Sequence, residues 1–123
     1  MAELVSKREG IMTEIVIALY RPREGKEQDL EKLIQKHVPV LQDLGLITSR
    51  PRLTLKSSDG TYMEIIEWID VSAAERAHEH PAVAQIWESM ETVSSFQKLK
   101  DLPEAAKGFS HFKVVPHLSE MFS

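Results

Sequence analysis

The side chains most able to do chemistry in this chain are two histidines two apart, His78 and His80, in "HEHPAVAQIW" (78–87), and His37 and Glu67 elsewhere. Residues two apart on a helix point in different directions. The zinc motif HEXXH needs histidines four apart with a glutamate after the first, and "HEH" followed by Pro81 does not supply that. No metal site is expected here. His80 belongs to a helix junction, whereas His78 can turn toward the sheet. His37 lies on an apolar helical stripe. It is either a core histidine satisfied by a carbonyl or water, or a proton-transfer group facing a cavity between helix and sheet. Glu67 shares a strand face with Met63, Ile65 and Ile69. It is either a buried carboxylate that needs a partner, or a strand-end residue paired with an arginine at the surface. Tyr20, Trp68 and Trp87 can line a pocket for a flat ligand or be plain core. Arg50 and Arg52 can bind an anionic group or form an ion pair at a strand end or dimer interface. Glu64 and Lys56 are expected to pair across strands or across an interface.

These side chains need elements to hold them. "MTEIVIALYRP" (12–22) reads as a strand ended by Pro22, with Ile15, Ile17 and Leu19 on one face and Val16, Ala18 and Tyr20 on the other. Both faces are apolar, so both are expected to be covered. In 24–46, Leu30, Leu33, Ile34, His37, Leu41 and Leu44 recur at helical spacing, and Gly45 suits a C-terminal cap. Pro39 should kink this helix or split it near Val38. "ITSRPRLTLKSSDGTYMEIIEWID" (47–70) reads as a hairpin turning at Asp59-Gly60. "SAAE" (72–75) is a capping box, with Ser72 and Glu75 reaching reciprocally for backbone amides. Pro81 restarts the helix, and Val83, Ile86, Trp87, Met90 and Val93 make its apolar stripe. "LPEAAKG" (102–108) suits one helical turn, and "FSHFKVVPH" (109–117) reads as the last strand.

The order strand, helix, strand, strand, helix, strand is the ferredoxin-like split βαβ pattern, an α+β antiparallel sheet with both helices on one face. The face with Ile15, Ile17, Leu19, Leu53, Leu55, Ile65, Phe112 and Val114 is expected under the helices. The opposite face carries Val16, Ala18, Ile66 and Trp68. Left wet, its apolar surface would cost about 25 cal/mol per Å². A second copy is expected to cover it, sheet against sheet.

Bulk properties narrow the classes. At 123 residues, 42% hydrophobic and 28% charged, the chain suits one globular domain. Residues 1–11 form an N-terminal arm and 12–123 the domain. With no cysteine, disulfides, thiolate catalysis and Cys-rich zinc sites are excluded, which fits a cytoplasmic location. The clean apolar run Ile15–Tyr20 is too short to span a bilayer, and "MAELVSKREG" lacks the apolar core of a signal peptide. A net charge of −4 speaks against a general nucleic-acid binder. An RNA-recognition module shares the element order, but "DGTYMEII" puts Asp59 where a basic residue belongs and Glu64 and Ile66 where stacking rings belong.

The segment "REGKEQDLEKLIQKHVPVLQDLGLITSRPRLTLKSSDGTYMEIIEWIDVSAAERAHEHPAVAQIWESM" resembles the dimeric α+β barrel superfamily. Within it, the chain looks like the antibiotic biosynthesis monooxygenase-like (ABM) group. The telling elements are "EW" ending the third strand and the "AxxxAHxHPAV" segment opening the next helix. The likeness covers roughly residues 12 to 116. It implies a homodimer, and a small, largely apolar or aromatic organic molecule held between sheet and helices. His37, His78 and Glu67 would orient that molecule or move a proton, with Tyr20, Trp68, Trp87 and Arg52 around it. If the chemistry is oxygenation, the resemblance implies neither metal nor flavin, the substrate supplying electrons as a carbanion. The haem-degrading branch places its proximal histidine where this chain has Ile86 and Trp87, so haem ligation is not expected. The other reading is a ligand-binding or structural dimer without catalysis.

Overall fold

The structure is a computed structural model, and it describes residues 12–120; the expected arm 1–11 lies outside them. Strand β1 (Glu14–Pro22) leads through Gly25 into helix α1 (Glu27–Asp43). The hairpin β2 (Leu53–Lys56) and β3 (Tyr62–Trp68) follows, then the short helix α2 (Ala73–Glu79) and α3 (Pro81–Val93). The chain ends with β4 (Ser94–Phe96), two 3-10 turns at Leu99–Asp101 and Pro103–Ala106, β5 (Lys113–Val114) and a last 3-10 turn at Pro116–Leu118. All strand pairs are antiparallel, in the order β4-β1-β3-β2-β5. This is an α+β open sheet compatible with a ferredoxin-like fold. No helix among the described residues is long and apolar enough to cross a membrane.

Local chemistry explains the element ends. Gly45, at φ +69°, closes α1 in a Schellman motif: its N–H meets the Gln42 carbonyl at 3.0 Å and the Leu46 N–H meets the Leu41 carbonyl at 3.0 Å. In the hairpin the Gly60 N–H bonds the Ser57 carbonyl, and Asp59 Oδ1 accepts the Thr61 N–H at 2.9 Å. Gly60 takes φ +92°, which few other residues tolerate. Pro81 opens α3 after His80 leaves the helical region at ψ 119°.

Two local expectations are corrected, and of the two outcomes expected at Pro39 the split is ruled out. Pro39 does not split α1, which runs unbroken across it. Ser72 flanks α2 but makes no side-chain cap; its own N–H is taken by Asp70 Oδ1 instead. The strand that completes the four-strand core is Ser94–Phe96, beside β1, directly after α3. Of 109–117 only Lys113–Val114 is strand, and it lies on the opposite edge, beside β2.

The largest correction is the sheet's orientation. The helices cover the face with Val16, Ala18, Tyr20, Glu64, Ile66 and Trp68, not the face with Ile15, Ile17 and Leu53. Val38, Leu41, Ala77 and Val83 pack on Ile66 and Trp68, while Leu30, Ile34, Ile86 and Met90 cluster with Tyr20 and Tyr62. On the outer face, Leu102 seals Leu19 and Met63, with Leu55 and Phe112 beside them. The rest is open: Ile15 is 50% exposed, Ile17 41% and Val114 54%. Room decides the choice. Across the middle of the inner face, register sets Glu64 between Ala18 and Thr54. Those two small neighbours leave space for side chains arriving from the helices, which a row of Ile17, Ile65 and Leu53 would not.

Candidate functional site

Four side chains from four elements meet on that inner face. Glu64 of β3 is fully buried and points between sheet and helices. His37 sits on the apolar stripe of α1, 3% exposed, and its Nδ1 lies 2.9 Å and 3.1 Å from the two Glu64 oxygens. Tyr20 of β1 donates its hydroxyl to Glu64 Oε1 at 2.8 Å. Trp87 of α3 donates its indole N–H to His37 Nε2 at 2.9 Å. The ring of exposed His78 also packs against Trp87 in a T-shaped contact, 4.7 Å between centroids.

The hydrogen bonds define the protonation state. An indole N–H can only donate, so His37 Nε2 must present its lone pair. A neutral imidazole carries one proton, which is therefore on Nδ1 and donated to Glu64. The result is a carboxylate orienting a histidine through Nδ1–H, with the basic Nε2 aimed away from it. That geometry makes an imidazole a directed base. Tyr20 reinforces it. Burial, then the Glu64 charge, then the hydrogen bond to Glu64 push its hydroxyl well above its ordinary value, so it stays a donor.

The expected site residues separate. His37, Tyr20, Trp87 and His78 come together. Trp68 is buried beside Val38 and Ala77, on the same sheet face but in the neighbouring core cluster. Arg52 is held structurally: its Nη1 donates to the Gln35 carbonyl at 3.1 Å, and Nε sits 4.0 Å from Glu120. His80 stays at the helix junction. Lys56 reaches Glu27 at 3.1 Å, not Glu64, because register sets it opposite Tyr62. Among the described residues no group of three or more His, Asp or Glu is placed to hold a metal ion.

Glu67 does not join His37. It lies on the outer face, where Oε1 accepts from Thr48 at 2.8 Å and Arg50 at 3.0 Å, and Oε2 from Thr13 at 2.9 Å. The geometry is that of the alternative weighed for it, an arginine pair near a sheet end. The hydrogen bonds from Arg50, Thr48 and Thr13 pull its carboxyl from 4.5 down to about 2. A depressed carboxyl stabilises the fold fully above its unfolded value and loses that contribution as pH falls through its folded value. Glu67's share is therefore expected to disappear between about pH 4.5 and 2. A carbon-detected NMR titration of its carboxyl checks this, and Arg50→Ala should move the midpoint upward. An unchanged midpoint in that variant would contradict the pairing.

Glu64 is the residue that sequence reasoning missed. The available signal was a pairing of intruders: one histidine on an apolar helical stripe, one carboxylate on the strand face shared with Tyr62, Ile66 and Trp68. The site is closed. Tyr20, His37 and Glu64 are all buried. Surface hollows among the described residues lie elsewhere, one of about 590 Å³ against Glu88 and Thr92 of α3 and another of about 280 Å³ between Ser58, Glu104 and Phe109. No protein-family model, curated protein or solved structure matches the chain.

Proposed function

We propose that this protein is a cofactor-independent, monooxygenase-like enzyme acting as a homodimer on a small, largely apolar or aromatic organic molecule. The observation that carries the reading is the Glu64–His37 pair, in which a buried carboxylate orients an imidazole through Nδ1–H and leaves Nε2 as its basic nitrogen, covered by the Trp87 indole N–H. A substrate reaches Nε2 by displacing the half-buried Trp87, whose ring it replaces against His78. His37 then takes a proton from an acidic carbon, and Glu64 stabilises the imidazolium. The carbanion passes electrons to dioxygen. The resulting peroxide loses water, so that a CH2 group and O2 give C=O and H2O.

The dimer belongs to the same reading, with the contact face corrected. The outer sheet face, with Ile15, Ile17, Leu53 and Val114 exposed, supplies the apolar surface that a second copy covers, forming a dimeric α+β barrel. A non-catalytic, ligand-binding or structural dimer is the second reading. It is favoured by one observation: the hydrogen-bonding nitrogens of His37 and both Glu64 oxygens are already met within the chain.

A panel of flat aromatic carbon acids in D2O under oxygen separates the two. Deuterium uptake at the acidic carbon, with oxygen consumption, is expected for the unaltered protein and should be lost in His37→Gln. If a folded protein exchanges no member of the panel faster than buffer does, the structural reading replaces the enzymatic one.

A further inference from the structure

The Trp87–His37 hydrogen bond exists only while His37 Nε2 has a lone pair. A second proton on the ring would go to that nitrogen and set N–H against N–H across 2.9 Å. One side chain must then leave. The imidazolium cannot: Nδ1 is bound to both Glu64 oxygens, and a charge-assisted pair holds it more tightly than the neutral one. Glu64 is itself held by Tyr20. Trp87 is the freer partner, half-buried on α3 with the exposed His78 beside it.

We infer that protonation of His37 releases the Trp87 indole, making the pair an acid-opened latch over the buried Glu64–His37 site. The titratable groups around His37 are Glu64 from β3 and Tyr20 from β1, with His78 of α2 against the Trp87 ring. Glu64 favours the opened form because it gains an ion pair. Tyr20 stays a neutral donor in both forms. The latch does not depend on catalysis, and a protein that turns over no substrate would still have it.

The test lowers the pH of the 123-residue chain from about 8 to the onset of acid unfolding. The probes are the indole N–H cross-peak of Trp87 and acrylamide quenching in Trp68→Phe, which leaves Trp87 as the sole tryptophan. The cross-peak is expected to leave its hydrogen-bonded position and quenching to rise in one step, while far-UV circular dichroism stays constant. Nitrogen shifts of the His37 ring, read in the unaltered protein, should titrate at the same midpoint. The step should survive His78→Gln, move to lower pH in Glu64→Gln, and vanish in His37→Gln, whose amide can bond both Glu64 and Trp87 at every pH. Three results would overturn the latch: no change in Trp87 before global unfolding, a step that disappears in His78→Gln, or a step whose midpoint differs from that of the His37 ring.

Discussion

Glu64→Ala is expected to cost about 3–5 kcal/mol of folding stability, a large part of what a domain of this size possesses. The carboxylate is the acceptor for two buried donors, Tyr20 Oη–H and His37 Nδ1–H. Removing it leaves both without a partner where water does not reach, and opens a void besides. Urea denaturation at pH 7 reads the loss. If Glu64→Ala does not fold, two milder variants report on the same network. Glutamine keeps an acceptor for His37 and its NH2 can donate to Tyr20, so Glu64→Gln should cost clearly less than alanine. Tyr20→Phe removes one hydrogen bond and should cost about 1–3 kcal/mol. A Glu64→Ala protein within about 1 kcal/mol of the original would show that the network is not held as the geometry implies.

Ile17→Lys is expected to convert the proposed dimer to a monomer. Ile17 stands in register with Ile65, and Ile65 with Leu53, so an ammonium there sits in the middle of the exposed outer face. A two-fold interface would bury it twice. Desolvating each charge costs several kcal/mol, and roughly 4 kcal/mol already weakens association about a thousandfold. Sedimentation should give twice 14.0 kDa for the unaltered chain and 14.0 kDa for Ile17→Lys. Glu88→Lys, on the solvent side of α3, should leave the mass unchanged. A monomeric starting protein, or an unaffected Ile17→Lys, rejects the outer face as the dimer contact.

Much of the fold was legible because local chemistry and tertiary need agree. Asp59-Gly60 turns the hairpin, Gly45 caps α1 and Pro81 restarts the helix, each for a reason confined to a few residues. The sheet's orientation was not legible. Both faces of β1 are apolar, and the more aliphatic one looks better suited to the helices. Hydrophobicity gave the wrong preference because the decisive quantity was volume: Ala18 and Thr54 leave the gap that His37 and Glu64 fill. The inversion carried Glu67 outward to Arg50 and brought Glu64, not Glu67, against His37. Strand β4 escaped for another reason. Three residues, "SSF", carry no alternation to read, and only pairing with Tyr20–Pro22 makes them strand.

The brevity of the outermost strands has its own consequence. A sheet edge with free amides and carbonyls is a template on which other chains can polymerise. Here the long central strands are flanked by β4, three residues, and β5, two residues, the latter followed after Val115 by Pro116 and a turn. Neither stub presents a ladder long enough for a third molecule to extend. The apolar outer face is open on one side only, since helices cover the other, and pairing of two copies as proposed would consume it. Association through the proposed dimer face is therefore self-limiting: it stops at two, and the edges of the described sheet are too short a template for fibrous growth.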